Sequence, residues 1–113
     1  MAATALATPT SSMSFPTSQV ESVLRDELIE AAKIEASIRG VMLPAAPARI
    51  ARTKVHMDSL VVVSILCAVE PIVGFELPDS VVQAGGYTSV ESALIHLLPR
   101  IENEWMKKKG AKS

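Results

Sequence analysis

The chain has 113 residues, a length that suits one small domain with one modest hydrophobic core. Hydrophobic residues make up 49% of it and aromatic residues only 4%, so the core must be aliphatic, as is typical of small packed-helix domains. The formal net charge of −1 argues against a general nucleic-acid binder. The single cysteine, Cys67, excludes an internal disulfide and a CxxC metal site, and we expect a reducing, cytoplasmic location.

The N-terminal segment has no charged side chain over residues 1–17 and is rich in Ala, Thr and Ser. It lacks the basic start and long apolar stretch of a secretory signal, so we expect a disordered lead-in, with a short plastid-type transit peptide as the alternative. We also expect no membrane span, because the longest apolar run, residues 60–69, is interrupted by Ser64 and covers half a bilayer at best.

The first helix is predicted to begin at Ser18, which would form a capping box with Glu21. Gly40 is a typical residue at which such a helix ends. The apolar residues that recur near helical spacing and form its inward stripe are Val20, Val23, Leu24, Leu28, Ala31, Ile34 and Ile38.

The next segment, residues 41–57, is predicted to be a long loop, because Pro44 and Pro47 disfavour a continuous helix. We expect four apolar side chains to anchor this loop: Met42, Leu43, Ile50 and Val55. Its later half is basic, through Arg49, Arg52, Lys54 and His56. A solvated connection is the simpler interpretation of these charges, and a contact surface for an acidic partner is the alternative.

Asp58 is predicted to cap a second helix over residues 59–72, whose last turn Pro71 tightens or ends. This helix is apolar on almost every side, whereas a helix that buries only one face needs apolar residues on that face alone. We expect Val61 and Ser64 on its outer face. The residues expected in the core are Val62, Ile65, Leu66, Cys67 and Val69.

The C-terminal part is predicted to hold a brief third helix over residues 80–84, capped by Asp79. The last helix is predicted to begin at Thr88, with Glu91 completing a capping box and Pro99 kinking the helix. Its inward stripe is Val90, Leu94, Leu97, Leu98, Ile101 and Trp105.

These elements predict an all-α fold, an antiparallel four-helix bundle with three long helices and one short helix. The helical domain is expected to cover residues 18–106 and to be followed by a flexible basic tail over residues 107–113.

Four short motifs follow one another in register within residues 55–105. Residues 58–60 are Asp-Ser-Leu, and residues 68–70 are Ala-Val-Glu. Residues 74–79 are Gly-Phe-Glu-Leu-Pro-Asp, and residues 87–90 are Tyr-Thr-Ser-Val. This series resembles the acyl carrier proteins, with their Asp-Ser-Leu signature, Ala-Leu-Glu stretch, Ile-Pro-Asp turn and Thr-Thr-Val start of the final helix.

The resemblance implies a non-catalytic carrier that holds acyl or related thioester intermediates on a 4′-phosphopantetheine arm attached to Ser59. Asp58 would then help to position the phosphopantetheinyl transferase, and His56 lies close enough in sequence to contact the phosphate. Further partners would be acyl-transferring or synthase enzymes of a fatty-acid, lipid, polyketide or peptide-type pathway. The residues implied to face partners are Leu60, Val61, Ser64 and Glu70.

The chain departs from the family in charge. Members usually carry an acid directly after the motif leucine, where this chain has Val61. Either the carrier serves dedicated partners through an apolar surface, or it is a degenerate relative that is never modified. The alternative function is an unmodified helical interaction module of the same fold, whose second helix could also mediate self-association. An enzyme is disfavoured because Ser59 and His56 have no evident orienting acid, and a metal site is disfavoured because too few ligands cluster.

Overall fold

The computed structural model describes residues 14–111, and their side chains as far as Lys108. Within these residues the chain forms four α-helices and no strand, which confirms the all-α class. The antiparallel, acyl-carrier-type arrangement of the helices stays a prediction. The helices are α1 (Thr17–Arg39), α2 (Pro47–Arg52), α3 (Ser59–Val73) and α4 (Val90–Ala111), with one 3₁₀ turn at Asp79–Val81.

Helix α1 begins one residue before the predicted start. Its N-cap is Pro16 and no side chain caps it, so the predicted capping box of Ser18 and Glu21 is wrong. Because Ser18 already lies inside the first helical turn, its hydroxyl is not in the cap position, and Glu21 instead pairs with Arg25 at 2.8 Å. The helix ends at Arg39, and its C-cap Gly40 adopts the left-handed conformation (φ +73°) as expected for this residue type.

The core is built around α1, which packs against both α3 and α4. Its buried positions repeat every three to four residues: Val20, Leu24, Leu28, Ile29, Ala32 and Ala36. The prediction that Ile34 and Ile38 also face the core is wrong, since they are 59% and 73% exposed. Each lies two residues after a buried alanine, which places it on the opposite side of the helix.

The segment between α1 and α3 contains a short helix, α2, where we predicted only a loop. Pro47 occupies the first helical position, where a proline has no intrahelical hydrogen bond to lose, so it starts α2 instead of preventing it. Ile50 and Val55 are buried, as predicted for loop anchors, and Leu43 is half-buried. Met42 is 91% exposed, so its predicted anchoring role is wrong.

Helix α3 begins at Ser59 after the predicted Asp58 cap, continues through Pro71 and ends at Val73. Its predicted core residues are buried, apart from Cys67, which is exposed: Val62, Ile65, Leu66 and Val69. Cys67 belongs instead to an exposed stripe at helical spacing, which also contains Leu60, Ser64 and Pro71.

The predicted third helix is only a single 3₁₀ turn, Asp79–Val81. Its N-cap is Pro78, so Asp79 is not the cap, and it forms no side-chain cap hydrogen bond. Arg100 of α4 fastens this turn, because its Nε and Nη2 donate to the carbonyls of Val81 and Ser80 at 3.0 and 2.8 Å.

Helix α4 begins two residues after the predicted Thr88. The predicted capping box of Thr88 and Glu91 is wrong, because Ser89 and Ser92 form the box instead. The Ser92 N–H donates to Ser89 Oγ at 3.0 Å, and the Ser89 N–H donates to Ser92 Oγ at 3.2 Å. Val90, Leu94, Leu97, Ile101 and Trp105 are buried as predicted, and Leu98 is half-buried. The helix continues through Pro99 to Ala111, so the predicted tail is helical as far as the structure describes it.

The predicted lead-in lies almost entirely outside the described residues. Within the described part of the chain, none of the helices has both the length and the hydropathy needed to cross a bilayer.

Candidate functional site

Ser59 is the first residue of α3 and is half-buried. Asp58 precedes it in an extended conformation, and its Oδ1 accepts a hydrogen bond from the Val61 N–H at 3.0 Å. The Ser59 hydroxyl makes no hydrogen bond to any described residue. The backbone N–H groups of the first helical turn have no intrahelical acceptor, and together with the helix dipole they favour a negative charge at this position.

The entry to α3 is held by a short antiparallel bridge that the sequence did not predict. Met57 and Tyr87 exchange two backbone hydrogen bonds, each 2.9 Å long, and the Val55 N–H donates to the Thr88 carbonyl at 2.9 Å. The bridge fixes the residue before Asp58 against the segment that leads into α4. The position of Ser59 therefore depends on a contact between two segments that are far apart in the sequence.

Gly86 makes this close approach of two backbones possible. Its φ is +86°, and a Cβ at this position would contact the Met57 carbonyl oxygen and would lie 2.7 Å from Asp58 Cα. Its neighbour Gly85 has almost the same φ, +88°, but has nothing within 4 Å of its Cβ position. A Gly-Gly pair is typical of a simple turn, and no local signal in the sequence distinguishes the two glycines.

Two hydrogen bonds of its hydroxyl group hold the Tyr87 side chain in place. Its hydroxyl accepts a hydrogen bond from the Gln83 N–H at 2.9 Å and shares another, 2.6 Å long, with His96 Nδ1. Burial raises the pKa of Tyr87, partly offset by the Gln83 hydrogen bond and the positive charge of Arg100. His96 of α4 therefore belongs to the support of the bridge.

The predicted partner-facing residues separate into two groups. Leu60 is 79% exposed, Ser64 is exposed and Val61 is half-buried, in keeping with an outer face. Val61 and Ser64 also line an open groove of about 250 Å³ between α3 and α1. Glu70 does not belong with them, because it is half-buried and its Oε2 accepts a hydrogen bond from the Leu77 N–H at 3.0 Å. Its function in this structure is to hold the chain that leaves α3.

His56 is exposed, and within the described residues no hydrogen bond joins it to Ser59 or Asp58. Across residues 14–108, no group of three or more His, Cys, Asp or Glu side chains could hold a metal ion. The site therefore consists of one serine hydroxyl at a capped helix start, with an exposed leucine beside it.

Comparison of the chain with models of protein families, with curated proteins and with solved structures gives no significant match.

Proposed function

We propose that this protein is a carrier that holds acyl or related thioester intermediates on a 4′-phosphopantetheine arm attached to Ser59. The observation on which the proposal rests is the state of Ser59. It is the first residue of a helix capped by Asp58, its hydroxyl makes no hydrogen bond to a described residue, and its neighbour Leu60 is 79% exposed. The resemblance of residues 58–79 to the acyl carrier motifs supports phosphopantetheine as the group attached to this serine.

The residues present fit the requirements of the arm. In the attachment reaction, the Ser59 oxygen bonds to the phosphorus that bears pantetheine, the hydroxyl proton is lost, and the adenosine bisphosphate part of coenzyme A leaves. A hydroxyl that no side chain or carbonyl engages is free to react. The resulting phosphate diester keeps one negative charge, which the dipole and the free N–H groups at the start of α3 stabilise.

The carrier proposed here requires dedicated partners. The first turn of α3 contains no acid, and the side chains that it presents beside Ser59 are the apolar Leu60 and Val61. Partner enzymes, whether acyl-transferring or synthase enzymes, would therefore recognise the site mainly through apolar contact. The protein itself would not be an enzyme, since its task is to present a tethered group to others, and we keep the cytoplasm as its expected location.

An intact-mass measurement tests the proposal. The chain is incubated with coenzyme A and a broad-specificity phosphopantetheinyl transferase, and we expect a gain of one phosphopantetheine. Ser59→Ala should abolish the gain. Ser22→Ala is the matched control, because Ser22 is an exposed helical serine of α1 outside the partner-facing residues, and this variant should gain the group as the parent does.

The alternative is an unmodified helical interaction module, and the exposed Leu60 also favours this function. It would be the better account if several transferases left the mass unchanged. It also predicts that Ser59→Ala keeps full activity in binding, whereas the carrier loses its function with the hydroxyl.

A further inference from the structure

The basic residues of the chain differ in whether they have partners. The three basic residues of α1 and Lys107 of α4 pair with glutamates three or four residues away, at N–O distances between 2.8 and 3.6 Å. Arg100 donates to two backbone carbonyls, and the Lys108 ammonium lies 5.6 Å from the centre of the Phe75 ring. These six are all the Lys and Arg residues outside residues 41–69 whose side chains the structure describes.

Arg49, Arg52 and Lys54 have no such partner among the described residues. All three are exposed. The reason lies in the sequence around them: Asp58 is the only acid in residues 41–69, and its carboxylate already accepts the Val61 N–H. Residues 41–69 therefore have a local excess of positive charge, although the whole chain has a net charge of −1. Among the described residues, Glu91 of α4 lines a groove together with Arg52 but forms no ion pair with it.

The unpaired cations precede Ser59 by five to ten residues along the chain. Lys54 is five residues before Ser59, so their Cα atoms are at most about 18 Å apart. Between them Val55 and Met57 are buried, which turns Lys54 and His56 to the opposite, exposed side of this extended stretch. The exposed apolar Leu60 follows directly after Ser59.

We infer that Arg49, Arg52, Lys54 and Leu60 form a docking surface for an acidic protein surface that offers Leu60 an apolar pocket. The argument is charge complementarity. Three cations without internal partners are available to a partner's carboxylates, and no acid of this segment needs to be displaced first. Leu60 would contribute the desolvated anchor, and the cations would orient the partner around it. The inference does not depend on modification of Ser59, so it goes beyond the proposed function.

The test uses two synthetic peptides of about 20 residues, each an amphipathic helix with leucines on one face. One peptide has glutamate at its polar positions, and its matched control has lysine there. Each is titrated into the ¹⁵N-labelled full chain, and amide shifts are followed by NMR. We expect the glutamate peptide to shift the amides of Arg49, Arg52, Lys54 and Leu60, and the lysine peptide to leave them unchanged.

Variants then assign the binding to these side chains. Reversal of all three charges (R49E, R52E and K54E) should weaken binding of the glutamate peptide by about tenfold or more, and L60A by about tenfold. The matched control reverses three cations that are paired with glutamates and do not line the groove of Arg52 (K33E, R39E and K107E), and it should change the affinity less than threefold. Circular dichroism shows whether each variant keeps its helices.

Three results would overturn the inference. Equal weakening by the two triple variants would mean general charge attraction. Shifts that map to α1 or α4 would place the binding elsewhere. Tighter binding of vesicles with about 30% phosphatidylserine, or of a short DNA duplex, would assign this surface to another class of partner. Binding that S59A retains in full would support the docking surface even if Ser59 is never modified, so the two proposals can fail separately.

Discussion

Replacement of Gly86 by alanine should destabilise the protein far more than the same change at Gly85. Both glycines have a left-handed φ, +86° and +88°, and an L-residue there costs roughly 1–2 kcal/mol. Only at position 86 would the added Cβ also meet backbone atoms, those of Met57 and Asp58. Forced overpacking of this kind typically costs a further 1–3 kcal/mol or so. We therefore expect a loss of about 1–2 kcal/mol for Gly85→Ala and of about 2–5 kcal/mol for Gly86→Ala.

The free energy of unfolding is measured by urea titration, with circular dichroism of the helices as the signal. A domain of this size has roughly 5–15 kcal/mol of stability, so the Gly86 variant should show a clearly lower midpoint or should unfold. Gly85→Ala serves as the internal control for backbone strain, because the alanine must adopt the same left-handed φ but its Cβ meets no other atom. Equal losses in the two variants would refute the view that the close approach of Gly86 to Met57 and Asp58 fixes the entry to α3.

Three further perturbations test the support of the site. Asp58→Ala removes the cap of α3 and should cost about 1 kcal/mol, whereas Asp58→Asn should keep most of the stability; equal urea midpoints for Asp58→Ala and the parent would contradict the cap. Glu70→Ala leaves the half-buried Leu77 N–H without its acceptor and should cost about 1–3 kcal/mol, more than Glu76→Ala on the exposed surface. The pKa of Tyr87 is raised in the folded state, so its contribution to stability is complete below pH ~10 and is lost as pH rises through the higher folded value. Unfolding titrations between pH 8 and about 11 should show this loss in the parent and a smaller one in Tyr87→Phe, and identical pH profiles would exclude it.

Local patterns in the sequence predicted the three long helices well, but they missed α2 and overestimated the short 3₁₀ turn. Asp58 was predictable as the cap of α3, because its short side chain can accept a hydrogen bond from an N–H group of the first helical turn. The core positions of α3 follow from helical spacing. The errors have local causes too. Ser89 and Ser92 replaced the predicted Thr88 and Glu91 as a capping box, since both pairs have the same spacing.

The support of the candidate site could not be predicted in the same way. The Met57–Tyr87 bridge joins residues 30 positions apart, and neither lies in a segment with strand-like alternation long enough to indicate pairing. Gly86 is distinguished from Gly85 only by the backbone that approaches it. In the sequence Glu70 resembles a surface acid, because its hydrogen bond to the Leu77 N–H depends on how the chain turns after α3.

The central claim, that Ser59 holds the prosthetic arm, is tested most directly by locating the added group. Chain incubated with coenzyme A and the transferase is digested with trypsin and a glutamate-specific protease. The Glu70–Pro71 bond resists the protease, so cleavage after Lys54 and Glu76 yields a peptide of residues 55–76 with only two serines, Ser59 and Ser64. Fragmentation that assigns one phosphopantetheine to Ser59 is the predicted result. An unmodified peptide, or a group on Ser64, would contradict the carrier assignment.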